Sequence, residues 1–97
     1  MTRQDAIKHD RVRHLILKAL APDYPDPIDT VVLRRLLSTM GYPMSESDLK
    51  SYVAYLEEKG LIKVDKRAND IVLIRATATG LDAMDARIEV KGVGQNF

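Results

Sequence analysis

From Val12 onward, apolar residues recur three and four positions apart: Val12, Leu15, Ile16, Ala19 and Leu20. That spacing lines one face of a helix and predicts a first helix over about residues 4–20. Pro22, Pro25 and Pro27 then prevent its continuation, so residues 23–27 read as a stiff connector. A second helix is expected to start near Asp29. Asp29 suits the N-cap, and Ile28 and Leu33 have the spacing of a hydrophobic staple. Val32, Leu33, Leu36, Leu37 and Met40 supply its expected inward face, and Gly41 ends it.

The third helix has the clearest start. Ser45 can cap it, Asp48 falls at the third helical position, and Met44 and Leu49 form a second staple. Leu49, Tyr52, Val53 and Leu56 make the inward stripe, and Gly60 supplies a left-handed stop. Ser47, Lys50, Ser51, Ala54, Tyr55 and Glu58 fall on the opposite face. Two short runs rich in branched apolar residues follow, 61–65 and 71–76, and read as strands. Residues 66–70 are the turn between them, with Asn69 and Asp70 suited to turn geometry. A fourth helix starts at Thr77 or Thr79, with Leu81, Met84 and Ile88 on its apolar side. Gly92 and Gly94 loosen the tail, and Phe97 ends it.

Helix, helix, helix, hairpin, helix is the order of a winged helix-turn-helix. The expected class is therefore α+β and mainly helical, with a three-helix core, a two-stranded wing and a C-terminal helix. Ninety-seven residues fit one domain over 1–97, with a core over about 5–90 and a flexible tail over 91–97. Each helix is short and marginal alone, so the three inward faces must pack together. A polar residue at an inward position, such as Leu36→Asp, is expected to unfold the domain.

Composition removes several classes of function. There is no cysteine, which excludes disulfides, thiol catalysis and cysteine-ligated zinc. No apolar run has the length of a membrane span, and the N-terminus has no signal-peptide core; a cytoplasmic protein is expected. The net charge of +1 says little about partners, but its distribution is uneven. Residues 1–20 carry a local +3, residues 21–48 a local −3 and residues 61–76 a local +2. The basic elements are the first helix and the hairpin.

Candidate chemistry is sparse. His9 and His14 are five apart, which keeps them off one helix face as a metal pair, so a structural or surface role is expected. Asp23, Asp26 and Asp29 lack the alternating ligands and central glycine of a calcium loop and read as turn and cap residues. No glycine-rich phosphate loop, nucleophile elbow or His-Glu motif is present, so neither an enzyme nor a bound cofactor is expected. Lys63, Lys66 and Arg67 can reach phosphates from a hairpin, or can simply keep an edge hairpin soluble. Ser47, Lys50, Ser51 and Tyr55 can face a major groove. Glu46, Asp48, Glu57 and Glu58 on the same helix oppose that use, although the first two also suit its positive start. Arg34 and Arg35 contact a nucleic-acid backbone or solvate the second helix. Leu81, Met84 and Ile88 return to the first helix or meet a second copy.

Residues 55–62, Tyr-Leu-Glu-Glu-Lys-Gly-Leu-Ile, resemble the helix-to-wing junction of many bacterial winged-helix regulators. Thr77-Ala78-Thr79-Gly80 resembles their threonine-x-x-glycine after the wing. The run 74–82, followed by Val90-Lys91-Gly92-Val93, is similar to small winged-helix proteins of Mu-like phages and prophages, usually described as arsenic-repressor-like. The resemblance covers about residues 7–93. It implies binding to double-stranded DNA, transcriptional regulation, a homodimer and no cofactor. The lack of cysteine ligands departs from the metal-sensing members. The rival expectation is a protein-interaction or assembly module with little or no DNA binding, because a fold does not fix a function.

Overall fold

Three helices begin where the sequence supplies a capping oxygen. A computed structural model describes residues 3–93. Helix α1 spans Arg3–Leu20 and runs into a single 3-10 turn at Ala21–Asp23. Strand β1, Ile28–Asp29, leads directly into α2, Thr30–Thr39. Asp29 Oδ1 accepts from the Val31 amide at 2.7 Å, which satisfies one donor the helix start leaves open. Helix α3 spans Glu46–Glu58, with Ser45 Oγ accepting from the Asp48 amide at 3.1 Å. Strands β2, Ile62–Lys66, and β3, Val72–Ala76, form a hairpin. Helix α4, Ala78–Met84, is capped by Thr77, whose Oγ1 accepts from the Gly80 amide at 3.0 Å. The same hydroxyl donates to Gly60 O at 2.8 Å, tying the end of α3 to the start of α4.

The fold is α+β and mainly helical: four helices and one three-stranded antiparallel sheet of order β1-β3-β2. The expected two-stranded hairpin is present as β2–β3, and β1 adds a third strand that was not expected. Ile28 pairs with Ile74 and Asp29 with Leu73, so the chain between the prolines and α2 is fixed to the central strand. Two residues bounded by a proline and a helix carry no alternating pattern, and only their tertiary neighbour makes them a strand.

Helix α1 is the hub. The sequence predicts one apolar stripe, but its C-terminal half buries Val12, His14, Leu15, Ile16, Leu17, Ala19 and Leu20. Helices α2, α3 and α4 and strand β3 all pack against it, so nearly its whole circumference is covered. Around it lie Leu33, Leu37, Leu49, Leu56, Leu61, Ile62 and Ile74, each fully or almost fully buried. Gly80 lets α4 approach closely: a Cβ there would overlap the Leu61 carbonyl.

Helix α2 departs from expectation. Val32 and Met40 are 48% and 38% exposed, and Leu36 is only half-buried. The helix seats on Leu33 and Leu37, a narrower stripe than the sequence offers. Helix α4 ends at Met84, so Ile88 lies beyond it rather than on its apolar side. Leu81 and Met84 are half-buried against the chain's own core. Residues 91–93, expected in a flexible tail, are packed against the body: Val93 is 6% exposed and Gly92 closes on Tyr55. Gly94 and Phe97 lie outside the described residues.

Candidate functional site

Helix α3 and the hairpin form the two walls of a groove of about 290 Å³. Thr30, at the start of α2, also lines it. Val53 and Ala54 line the helix side, and Val64, Val72 and Ile74 line the sheet side. Lys50 and Lys66 reach it from opposite walls, and Glu46 and Glu57 border it on the helix. Val53 is thus half-buried at the groove rather than sealed in the core as its place in the apolar stripe predicts. The groove itself was not legible, because it needs the hairpin folded back beside α3.

The charged side chains here are weakly held. Lys50 Nζ lies 3.9 Å from Glu46, with both side chains more than 70% exposed. Arg67 Nε donates to Asp65 Oδ2 at 2.7 Å, again between exposed groups. Exposed pairs contribute only about 0–1 kcal/mol, so an incoming phosphate competes easily for either cation. Lys63 and Lys66 are exposed and make no ion pair among the described residues. Ser47 and Ser51 are exposed on α3, where the Ser51 hydroxyl donates to Ser47 O at 3.4 Å.

Two of the expected contact residues are held elsewhere. Tyr55 is half-buried, not outward. Its hydroxyl donates to Lys91 O at 2.7 Å, and the Arg13 guanidinium sits 3.8 Å from its ring centroid. Lys59 Nζ approaches the same ring at 5.5 Å. Arg13 Nη1 also donates to Gly92 O at 2.9 Å, so the last described residues are clamped over α1 and α3. Arg34 is half-buried and donates to Met44 O through Nε at 3.3 Å and Nη2 at 3.1 Å. It pins the connector between α2 and α3. Arg35 stays exposed. Both changes have one cause: a long side chain beside a helix's apolar stripe finds carbonyls that only the folded chain brings near.

Beside this clamp, Tyr52 is buried as expected. The Tyr52 hydroxyl and His9 Nδ1 share a hydrogen bond of 2.6 Å, in which the hydroxyl donates when Nδ1 carries no proton. Burial pushes the Tyr52 phenol above its ordinary range; Arg13 opposes the shift and Asp48 adds to it. No group of three or more metal-ligating side chains occurs among the described residues. No described helix is long and apolar enough to cross a membrane.

No family model, curated protein or solved structure matches this chain.

The outer face of the hairpin carries one feature that reading along the chain missed. Lys63 on β2 stands directly opposite Arg75 on β3. Like charges facing each other across a ladder destabilise it. The signal emerges only once a hairpin register is assigned.

Proposed function

We propose that this chain is a winged-helix protein that binds double-stranded DNA and regulates transcription, with α3 as the groove-reading helix and the β2–β3 hairpin as the wing. The observation that carries this reading is that Lys50 and Lys66, from opposite walls, line one groove, with Ser47 and Ser51 exposed on α3. Lys66 and Arg67 hold phosphates, since their alternative partners are solvent or an exposed carboxylate. Ser47, Lys50 and Ser51 reach base edges from the first two turns of α3, the part of a recognition helix that enters a major groove. Arg35 is the available backbone contact on α2. Tyr55 and Arg34 are dropped from the contact set because their polar atoms are engaged within the fold.

Replacing Lys66 and Arg67 together by alanine lowers affinity for all duplex sequences alike. It also reduces the slope of log K against log salt by about 2, one for each phosphate no longer neutralised. A fluorescence titration over a salt series measures both, and an unchanged slope overturns the wing's role.

A second reading rests on the groove's lining. Its floor is apolar, and Glu46 and Glu57 offset the two lysines. Those features suit a peptide or helix of another protein. Titration with mixed genomic DNA at low salt separates the two: binding that fades as salt rises supports DNA, and no binding at low salt supports the protein partner.

A further inference from the structure

Strand β2 is an edge of the sheet, with β3 on one side and no strand on the other among the described residues. The Thr77 amide donates to Leu61 O and the Arg67 amide to Ile71 O, which fixes the phase of the hairpin ladder. In that phase Lys63 and Asp65 exchange hydrogen bonds with Arg75 and Leu73. The amides and carbonyls of Ile62, Val64 and Lys66 therefore point away from β3, along the free edge. On β3 the alternation runs the other way, and Ile74 turns its groups toward β1.

Proteins commonly guard such edges with charge. Here the guard is self-complementary. On the outer face the order is Lys63, then Asp65, with Val64 between them. Two copies of β2 laid antiparallel about Val64 pair all five strand residues. They place Lys63 of each copy opposite Asp65 of the other. The same register offsets the Lys63–Arg75 repulsion, because Lys63 gains a carboxylate on its other side.

We infer that the free edge of β2 is a homodimer contact: a second copy of this chain pairs antiparallel through Val64, joining two three-stranded sheets into one of six. Val64 and its counterpart form the central hydrogen-bonded pair, and two Lys63–Asp65 pairs flank it. Residues 67–71, which join β2 to β3, lie beyond the paired residues and stay free. The contact is small, so the free dimer is weak. It is measured without DNA and stands or falls apart from the function proposed above.

The chain has no cysteine, so a single Val64→Cys reports on this register alone. Cα atoms across such a pair lie about 5.5 Å apart, within the range a disulfide spans. Under mild oxidation Val64→Cys forms a disulfide-linked dimer faster than a Ser38→Cys control, whose site is exposed on α2. Adding Lys63→Asp sets carboxylates against each other and abolishes that advantage, and adding Asp65→Lys as well restores it. Sedimentation velocity over a concentration series of the cysteine-free chain follows the same pattern: self-association in the parent, loss in Lys63→Asp, recovery in Lys63→Asp/Asp65→Lys. Cross-linking no faster than the control, or self-association indifferent to the charge reversal, overturns the inference.

Discussion

At the scale of single residues, the aromatic and cationic side chains of α1 and α3 settle in an order the linear pattern does not express. Tyr52 and Tyr55 are three apart, and both take partners from α1: His9 for the first and Arg13 for the second. Tyr52 gives a measurable consequence. Its folded phenol is raised above 10.0, mainly by burial, so the folded chain holds that proton more tightly than the unfolded chain. The associated stability is fully present below the unfolded value and is lost as pH rises through the folded one. Tyr52→Phe removes the hydrogen bond to His9 and costs about 1 kcal/mol near neutrality. Thermal melts on both sides of pH 10.0 show the parent's advantage over the variant shrinking as pH rises. Every other side chain is common to both proteins, so the difference between them isolates the phenol.

At the scale of elements, three helices end in the same way. After α2, Tyr42 N donates to Leu37 O and Gly41 N to Ser38 O; after α3, Leu61 N donates to Leu56 O and Gly60 N to Glu57 O. After α4, Arg87 N donates to Asp82 O and Ala86 N to Ala83 O. Each pattern needs a left-handed residue at its second position. Gly41 and Gly60 provide it without steric cost, with φ of +93° and +74°, whereas Ala86 sits at +59°. This explains why the ends of α2 and α3 were legible and the end of α4 was not. No glycine marked it, and Ile88 continued the apolar spacing. Ala86→Gly relieves the Cβ clash and raises stability by up to about 1 kcal/mol, the entropy of the unfolded glycine opposing part of the gain. A higher melting temperature confirms it; a lower one shows that the turn favours alanine.

At the scale of the whole molecule, one small core is shared by every helix and by the sheet, so damage to it is not local. Leu37 is fully buried between α2 and its neighbours, whereas Leu36 is half-buried. Leu37→Asp is expected to abolish the cooperative thermal transition, because an unpaired carboxylate has no counter-charge in that core. Leu36→Asp, placed at the rim, keeps a transition at lower temperature. Calorimetry of the two variants reads the difference. The core also includes Val93, so the clamp of Arg13 and Tyr55 on residues 91 and 92 is part of the body and not an appendage.

The order of the four helices and the hairpin, the capping residues and the glycine stops of α2 and α3 were determined locally. Such features depend on residues within about one helical turn of one another, and the chain carries them wherever it goes. Most of the exposed candidate contacts, Ser47, Lys50, Ser51, Lys66 and Arg67, were likewise legible, because helical and hairpin periodicity is enough to turn them outward. Tertiary structure alone decided the rest: the third strand at Ile28–Asp29, the burial of α1 on several sides, the withdrawal of Tyr55 and Arg34, and the groove joining Lys50 to Lys66. Each of these is a contact between residues from different elements. Its energy comes from a carbonyl, ring or apolar surface that no neighbouring residue reveals.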